Sequence, residues 1–323
     1  MICRRIALLF ILGGAFLLLG EQSDADTSLP STFASFGVST AYRRDALQWN
    51  IAGDTEGKNP NILSELTWSD IEIFEIKASG DAIIEDFWYL RGSFGYGEIL
   101  DGRNQDSDYD GDDRTEEFSR SDNSTDNGDV FDCSIGTGVW LNLWKSGVFL
   151  APLIGYSHNE QRLTMSDLYQ SVSRPDKNLP AVGPVEGLNS SYDTRWEGPW
   201  TGMDIIWMPA RQIRLFAGFE YHWADYYAEA DWNLKPDFKH PVSYTHEADG
   251  TGTIISCGLE FQITDSWLVY TGMLIEDWYA ESGSDRIYNA NGTTVDTRLN
   301  EVAWESQSIM LAMTYRFVLE DGL

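Results

Sequence analysis

The sequence predicts an all-β protein: a ten-stranded antiparallel transmembrane β-barrel with long extracellular loops, forming a single domain over residues 29–323. Three observations carry that expectation. Segments of alternating apolar residues recur along the chain with almost no helical stripe between them. The connections between these segments alternate short and long. After residue 20 no apolar run reaches the ~18 residues of a transmembrane helix, although Trp, Tyr and Phe are abundant, and this excludes a helical membrane protein.

The chain opens with Arg4 and Arg5, an almost unbroken apolar run from Ile6 to Leu19, and a polar exit from Glu21. A basic start, a short apolar core and an abrupt polar boundary describe a secretory signal peptide over 1–20, with cleavage between 20 and 28; the competing reading is a single N-terminal membrane anchor. Cys3 precedes the apolar run and so is not a lipoprotein cysteine. Cys133 and Cys257 remain, too few for a disulfide framework.

Alternating runs fall near 33–51, 62–79, 86–101, 129–143, 147–168, 195–208, 212–234, 242–263, 266–287 and 302–317. In "DFWYLRGSFGYG", Trp88, Leu90, Phe94 and Tyr96 share one face while Tyr89, Arg91, Ser93 and Gly95 share the other. "FDCSIGTGVWLNL" repeats the pattern, with Cys133, Ile135, Thr137, Val139 and Leu141 against Asp132, Ser134, Gly136, Gly138 and Trp140. A strand with one apolar and one small or polar face lies between hydrocarbon and a wet or polar interior. "GDAIIED", "WKSG", "PAR" and "TDS" form tight turns after every second strand, whereas long polar stretches, including 102–128 and 169–194, follow the others. Short periplasmic turns and long outer loops place both termini inside an outer-membrane barrel. Several runs exceed the ~9–11 residues a membrane strand needs, so the barrel is expected to project above the bilayer. The last strand, "SIMLAMTYRF", carries Ile309, Leu311, Met313, Tyr315 and Phe317 on one face. A soluble secreted β-sandwich is the competing fold, but it requires neither the alternating connections nor aromatics at strand ends.

A formal net charge of -29 excludes nucleic acid as a partner, because binding it needs Lys and Arg to displace counterions. The acid is concentrated: from Asp101 to Asp132 it is broken only by Arg103, Arg114 and Arg120. Within it, "DSDYDGDD" (106–113) holds Asp106, Asp108, Asp110, Asp112 and Asp113. Side chains at Asp106, Asp108, Asp110 and Asp112, a Gly at 111 and Glu117 at the twelfth position match the ligand spacing of a Ca²⁺ loop, whose hard oxygens a divalent cation neutralises. Tyr109, Asp113 and a preceding strand rather than helix depart from that pattern. Ca²⁺ site, active-site wall and solvated acidic loop stay open as readings.

Three further stretches join "DSDY" (106–109) in a resemblance: "ILSELTW" (62–68), "GPWTGM" (198–203) and "LFAGFEY" (215–221) complete a set in the order found in the omptins. Those are ten-stranded outer-membrane proteases, and the chain resembles more loosely the omptin-like outer-membrane proteins of environmental chlamydiae. The resemblance implies an outer-membrane location with loops facing the exterior, with membrane lipid and, during biogenesis, the barrel-assembly machinery as partners. It further implies water activated between an Asp pair, matched by Asp106 and Asp108, and an Asp–His pair, matched by Asp231 and Asn233. Asn does not take up a proton, so the general base is missing at that position. His222 lies too far back along the seventh strand, which leaves His240 and His246, after the connection that follows it, as the candidates for it. Simple alternation sets Asp231 on the face of Tyr221 and Trp223, so an inward Asp231 requires either that this face is inward or that a bulge intervenes. The leading expectation is a surface binding or structural barrel with altered or lost proteolysis. The alternatives are an active omptin-type endopeptidase and a small cation-preferring channel; no basic cluster matches the omptin lipopolysaccharide site.

Overall fold

The computed structural model describes residues 32–143 and 147–318. The expected signal peptide and most of the "WKSG" turn lie outside the described residues. Fourteen antiparallel strands form one sheet: β1 (Phe33–Ile51), β2 (Ser64–Ile84), β3 (Trp88–Gly111), β4 (Thr115–Ser124), β5 (Gly128–Val139), β6 (Leu141–Leu143), β7 (Val148–Ser173), β8 (Gly183–Pro184), β9 (Ser190–Ala210), β10 (Ile213–Asp231), β11 (Tyr244–Gln262), β12 (Trp267–Ala280), β13 (Gly283–Tyr288) and β14 (Thr294–Val318). The sheet closes because β1 pairs with β14 over almost its whole length, from Phe33 opposite Val318 to Ile51 opposite Leu299. β4, β5 and β6 follow one another along a single stave between β3 and β7, and β13 continues β12 between β11 and β14; the two-residue β8 pairs only with β7, so the wall has the expected ten staves.

One sequence expectation is corrected here. Residues 102–128 were expected to be a long polar loop, yet β3 runs on to Gly111, turns through a 3-10 segment at Asp112–Arg114 and returns as β4. Its polar residues are tolerated in strands because this part of the wall stands in water on its outer face. The stretch 169–194 is likewise partly strand, being divided between the end of β7, β8 and the start of β9.

Outward-facing apolar side chains mark the membrane belt. Phe36 to Tyr42 on β1, Trp88 to Leu100 on β3, Ile255 to Phe261 on β11 and Ile309 to Phe317 on β14 all carry large exposed apolar groups. Together these stretches mark a band around the height that a strand of ~9–11 residues crosses in hydrocarbon. Trp88, Leu90, Phe94 and Tyr96 point out while Tyr89 is buried, and Ile135 points out while Asp132 and Trp140 are buried, as the alternation predicts.

The interior is filled in layers. Near the periplasmic end Phe33, Tyr89, Trp140, Phe149 and Trp200 form an apolar floor. Charged pairs cross the middle: Arg91 reaches Asp204 at 3.3 Å and Glu220 at 2.6 Å, and Arg43 reaches Asp45 at 2.7 Å and Asp132 at 2.5 Å. Above them an aromatic layer contains Trp49, Trp68, Tyr192, Trp196, Tyr226, Trp278 and Trp304. Trp278 and Trp304 stack with ring centroids 5.4 Å apart. Glycine makes room for these rings: a Cβ on Gly252 would sit 2.4 Å from the Trp278 ring, and one on Gly155 would sit 2.3 Å from Trp200.

Candidate functional site

Beyond the membrane belt the staves enclose a cavity of about 250 Å³ at the extracellular end. Asp106 and Asp108 of β3 line it together with Trp49 of β1, Tyr244 of β11, Asp285 of β13, and Trp232, Lys235 and Phe238 from the β10–β11 connection. Two irregularities bring the acid pair inside. Within the membrane belt the odd-numbered residues of β3 face inward, so strict alternation would turn 106 and 108 out. The β2–β3 register breaks between Ser69 and Glu72 and again between Glu72 and Ile73, leaving Leu100 and Asp101 both on the outside. Each bulge resets the pleat, and from Gly102 onward the even residues point in.

Asp106 and Asp108 therefore stand side by side on one inward face with little cationic compensation. Burial pushes the Asp106 carboxyl well above the ordinary carboxylate range, and the neighbouring Asp108 charge adds to this while Lys235 opposes it. Asp108 is raised in the same direction by burial, against Lys235 and the hydroxyls of Ser64 and Ser119. The phenol of Tyr244 is also pushed well above its usual value, first by burial and then by the Asp106 and Asp285 charges.

Asp231 and Asn233 do not join this pair. β10 carries no bulge that would turn Asp231 inward, so Asp231 keeps the outward parity of Tyr221 and Trp223 and bonds the ring Nδ1 of His240 at the half-exposed rim. The inward positions of upper β10 are Ala224, Tyr226, Ala228 and Ala230, all buried. Asn233 lies past the end of the strand, where it accepts the backbone N–H of Asn189 at 2.9 Å and donates to the carbonyl of Gly187 at 2.7 Å. It braces a loop and does not share a face with Asp231.

The histidines divide among different settings. His222 is buried in the lumen between Ser157 at 2.9 Å and Glu220 at 3.1 Å. His246 is fully buried beneath the cavity, its Nδ1 bonded to Tyr192 Oη at 2.9 Å and its Nε2 3.2 Å from Asp285 Oδ1. His246 was flagged in the sequence, but its carboxylate partner was not. Asp285 carried no signal because it sits in a stretch expected to end strand nine, nearly forty residues along the chain.

The five residues spaced as a Ca²⁺ loop diverge. Asp110, at the tip of β3, pairs with Arg174 at 3.0 Å and Lys177 at 2.6 Å; Asp112 accepts the backbone N–H of Asn61 at 2.9 Å; Glu117 holds Arg120 at 2.7 and 2.8 Å. The physical reason is the extended strand, which spreads Asp106, Asp108 and Asp110 along its length at roughly 3.3 Å per residue where a Ca²⁺ loop would curl them around one point. Among the described residues no group of three or more His, Cys, Asp or Glu is placed to hold a metal ion.

A closed ten-stave wall with an apolar belt, a filled lumen and an acid-lined outer cavity defines an outer-membrane β-barrel of the omptin architecture. The chain belongs to the Protochlamydia outer membrane protein family, whose model matches residues 37–317. Its fold is similar to that of the outer membrane protease OmpT from Escherichia coli, with a TM-score of 0.70 at 13% identity over 88% of this chain and 96% of that one. It is far less similar to the translocator domain of the autotransporter NalP from Neisseria meningitidis, with a TM-score of 0.36 at 10% identity over 87% of this chain and 88% of that one. No curated protein matches the sequence. The chain is thus an outer-membrane protein, and its long connections face the exterior.

Proposed function

We propose that this barrel is a surface binding protein that has lost omptin-type peptide hydrolysis, with the extracellular cavity as its binding site. The observation that carries the reading is the composition of the two walls. Asp106 and Asp108 face inward on β3, whereas the inward face of upper β10 offers Ala228 and Ala230 in place of titratable groups. Attack of water on a peptide bond draws on a general base for about 10²–10⁴-fold of its rate, and an alanine wall supplies none. The cation-channel reading finds less support, because Trp68, Trp196, Trp278 and Trp304 occupy the lumen below the cavity and are fully buried.

One observation favours a second reading. His246 and Asp285 form an Asp–His pair that reaches the cavity floor through Asp285, so an endopeptidase could draw its base from β11 instead of β10. The rings of Trp49, Tyr192 and Tyr244 pack around His246 and keep water from it, which weighs against this. The test is cleavage of a fluorogenic peptide with two adjacent basic residues by the refolded protein. No turnover is expected. Turnover abolished by both Asp106→Asn and His246→Ala would replace the binding reading with the endopeptidase.

A further inference from the structure

The polar groups left without partners in the cavity point to the chemistry of what fills it. Trp49 and Tyr244 are 3% and 6% exposed, yet among the described residues Trp49 Nε1 and Tyr244 Oη have no hydrogen-bond partner, and neither does Asp106 Oδ1. Buried polar atoms left unpaired cost free energy and are rare unless something else satisfies them. The set is mixed in kind. Trp49 Nε1 only donates, the Asp106 carboxyl accepts and, where it keeps its proton, also donates, Tyr244 does either, and Lys235 adds donors at the same cavity.

Aromatic rings supply the rest of the lining. Trp49 and Tyr244 meet edge to face with centroids 5.9 Å apart, and Trp232 meets Tyr244 at 4.9 Å, with Phe118 and Phe238 completing the walls. A simple cation would satisfy the carboxylates, but it would leave the Trp49 N–H without an acceptor and would meet the Lys235 ammonium. A purely apolar ligand would leave every one of these groups unpaired. A pyranose ring presents hydroxyls that each donate and accept, together with C–H faces that lie against aromatic rings, and a single ring is of a size with the cavity.

We infer that the extracellular cavity binds the terminal pyranose unit of a glycan, with Asp106, Trp49 and Tyr244 bonding its hydroxyls and the aromatic walls packing on its faces. This rests on the reading of the cavity as a binding site.

The test uses the refolded full-length barrel in a sugar-free detergent. Methyl glucopyranosides, N-acetylglucosamine and short oligosaccharides are titrated against tryptophan fluorescence and calorimetry, with agmatine as the cationic comparison. Saturable binding of at least one saccharide is expected, weakened about tenfold or more by Asp106→Asn and by Trp49→Phe. Both variants are to remain heat-modifiable on gels, which separates lost binding from lost folding. Absence of saturation by any saccharide, saturation by agmatine in preference, or affinity unchanged in both folded variants overturns the inference. Peptide turnover by the same preparation would instead overturn the underlying reading, so the two failures are told apart.

Discussion

Burial without an adequate counter-charge governs Asp106 and Asp108. A carboxyl whose pKa is raised in the folded state keeps a proton that the unfolded chain gives up above about pH 3.9. From there upward the folded state binds more protons than the unfolded one, so this pair's contribution to stability falls as pH rises until the folded-state value is passed. Asp106→Asn removes the penalty. Its expected effect at neutral pH is stabilisation on the order of 1 kcal/mol, since the cost of a buried charge is lost while a buried amide stays to be satisfied, with a flatter pH dependence. Urea unfolding of the detergent-refolded barrel at pH 5 and pH 8 measures both, and a destabilised variant would contradict the argument. Arg43 is the opposite case. It is 2% exposed and bonded to both Asp45 and Asp132, and Trp304 Nε1 and Gln161 Nε2 also donate to Asp45. Arg43→Ala leaves two carboxylates facing each other in the lumen, and a loss of about 3–5 kcal/mol is expected in the same unfolding measurement.

At the scale of the element, alternation tells each strand which face it presents. Cys133 of β5 and Cys257 of β11 are free, exposed thiols, each flanked on its own face by belt residues such as Ile135, Ile255 and Leu259. Both face lipid, so a membrane-soluble maleimide is expected to label them in intact outer membrane and a charged, water-confined reagent is not; equal labelling by the two would place these faces in water. Leu311 of β14 is 60% exposed within the belt, and Leu311→Arg is expected to cost about 2–4 kcal/mol if it lies near the bilayer midplane. The alternation of Trp88 to Tyr96 was readable because the period of a strand is two and water or lipid enforces it residue by residue. It became unreadable past Leu100, where nothing local in "EILDGRN" reports that the pleat is reset. The same rule set Asp231 on the face of Tyr221 and Trp223; that face is outward and no bulge intervenes, so Asp231 does not turn inward as the resemblance required.

Closure of the wall makes the molecule a filled vessel. The floor of Trp140 and Trp200, the ion pairs of the middle and the aromatic layer above leave separate cavities, the lower lined by Lys77, Arg91 and Asp132, the upper by the acid pair. In planar bilayers the refolded protein is therefore expected to show no steady single-channel conductance despite its acidic charge. Stepwise cation-selective openings would mean that the aromatic layer moves aside. A closed ring of hydrogen-bonded strands also resists detergent until it is boiled, and heat-modifiable migration on gels reports that closure.

The sequence by itself determined the strand periodicity, the number of staves and the faces that meet lipid, because each of these follows from local spacing and residue type; Asn233 entered only through the resemblance. It also singled out Asp106 and Asp108, with a Ca²⁺ site, an active-site wall and a solvated loop as open readings. The tertiary structure alone decided that these two point inward, that their companions are Trp49, Lys235, Tyr244 and Asp285, and that Asp110, Asp112 and Glu117 turn elsewhere. The reason is physical: a bulge shifts every later side chain to the opposite face, and a cavity is assembled from strands far apart in the chain, so neither leaves a periodic trace in the residues that create it.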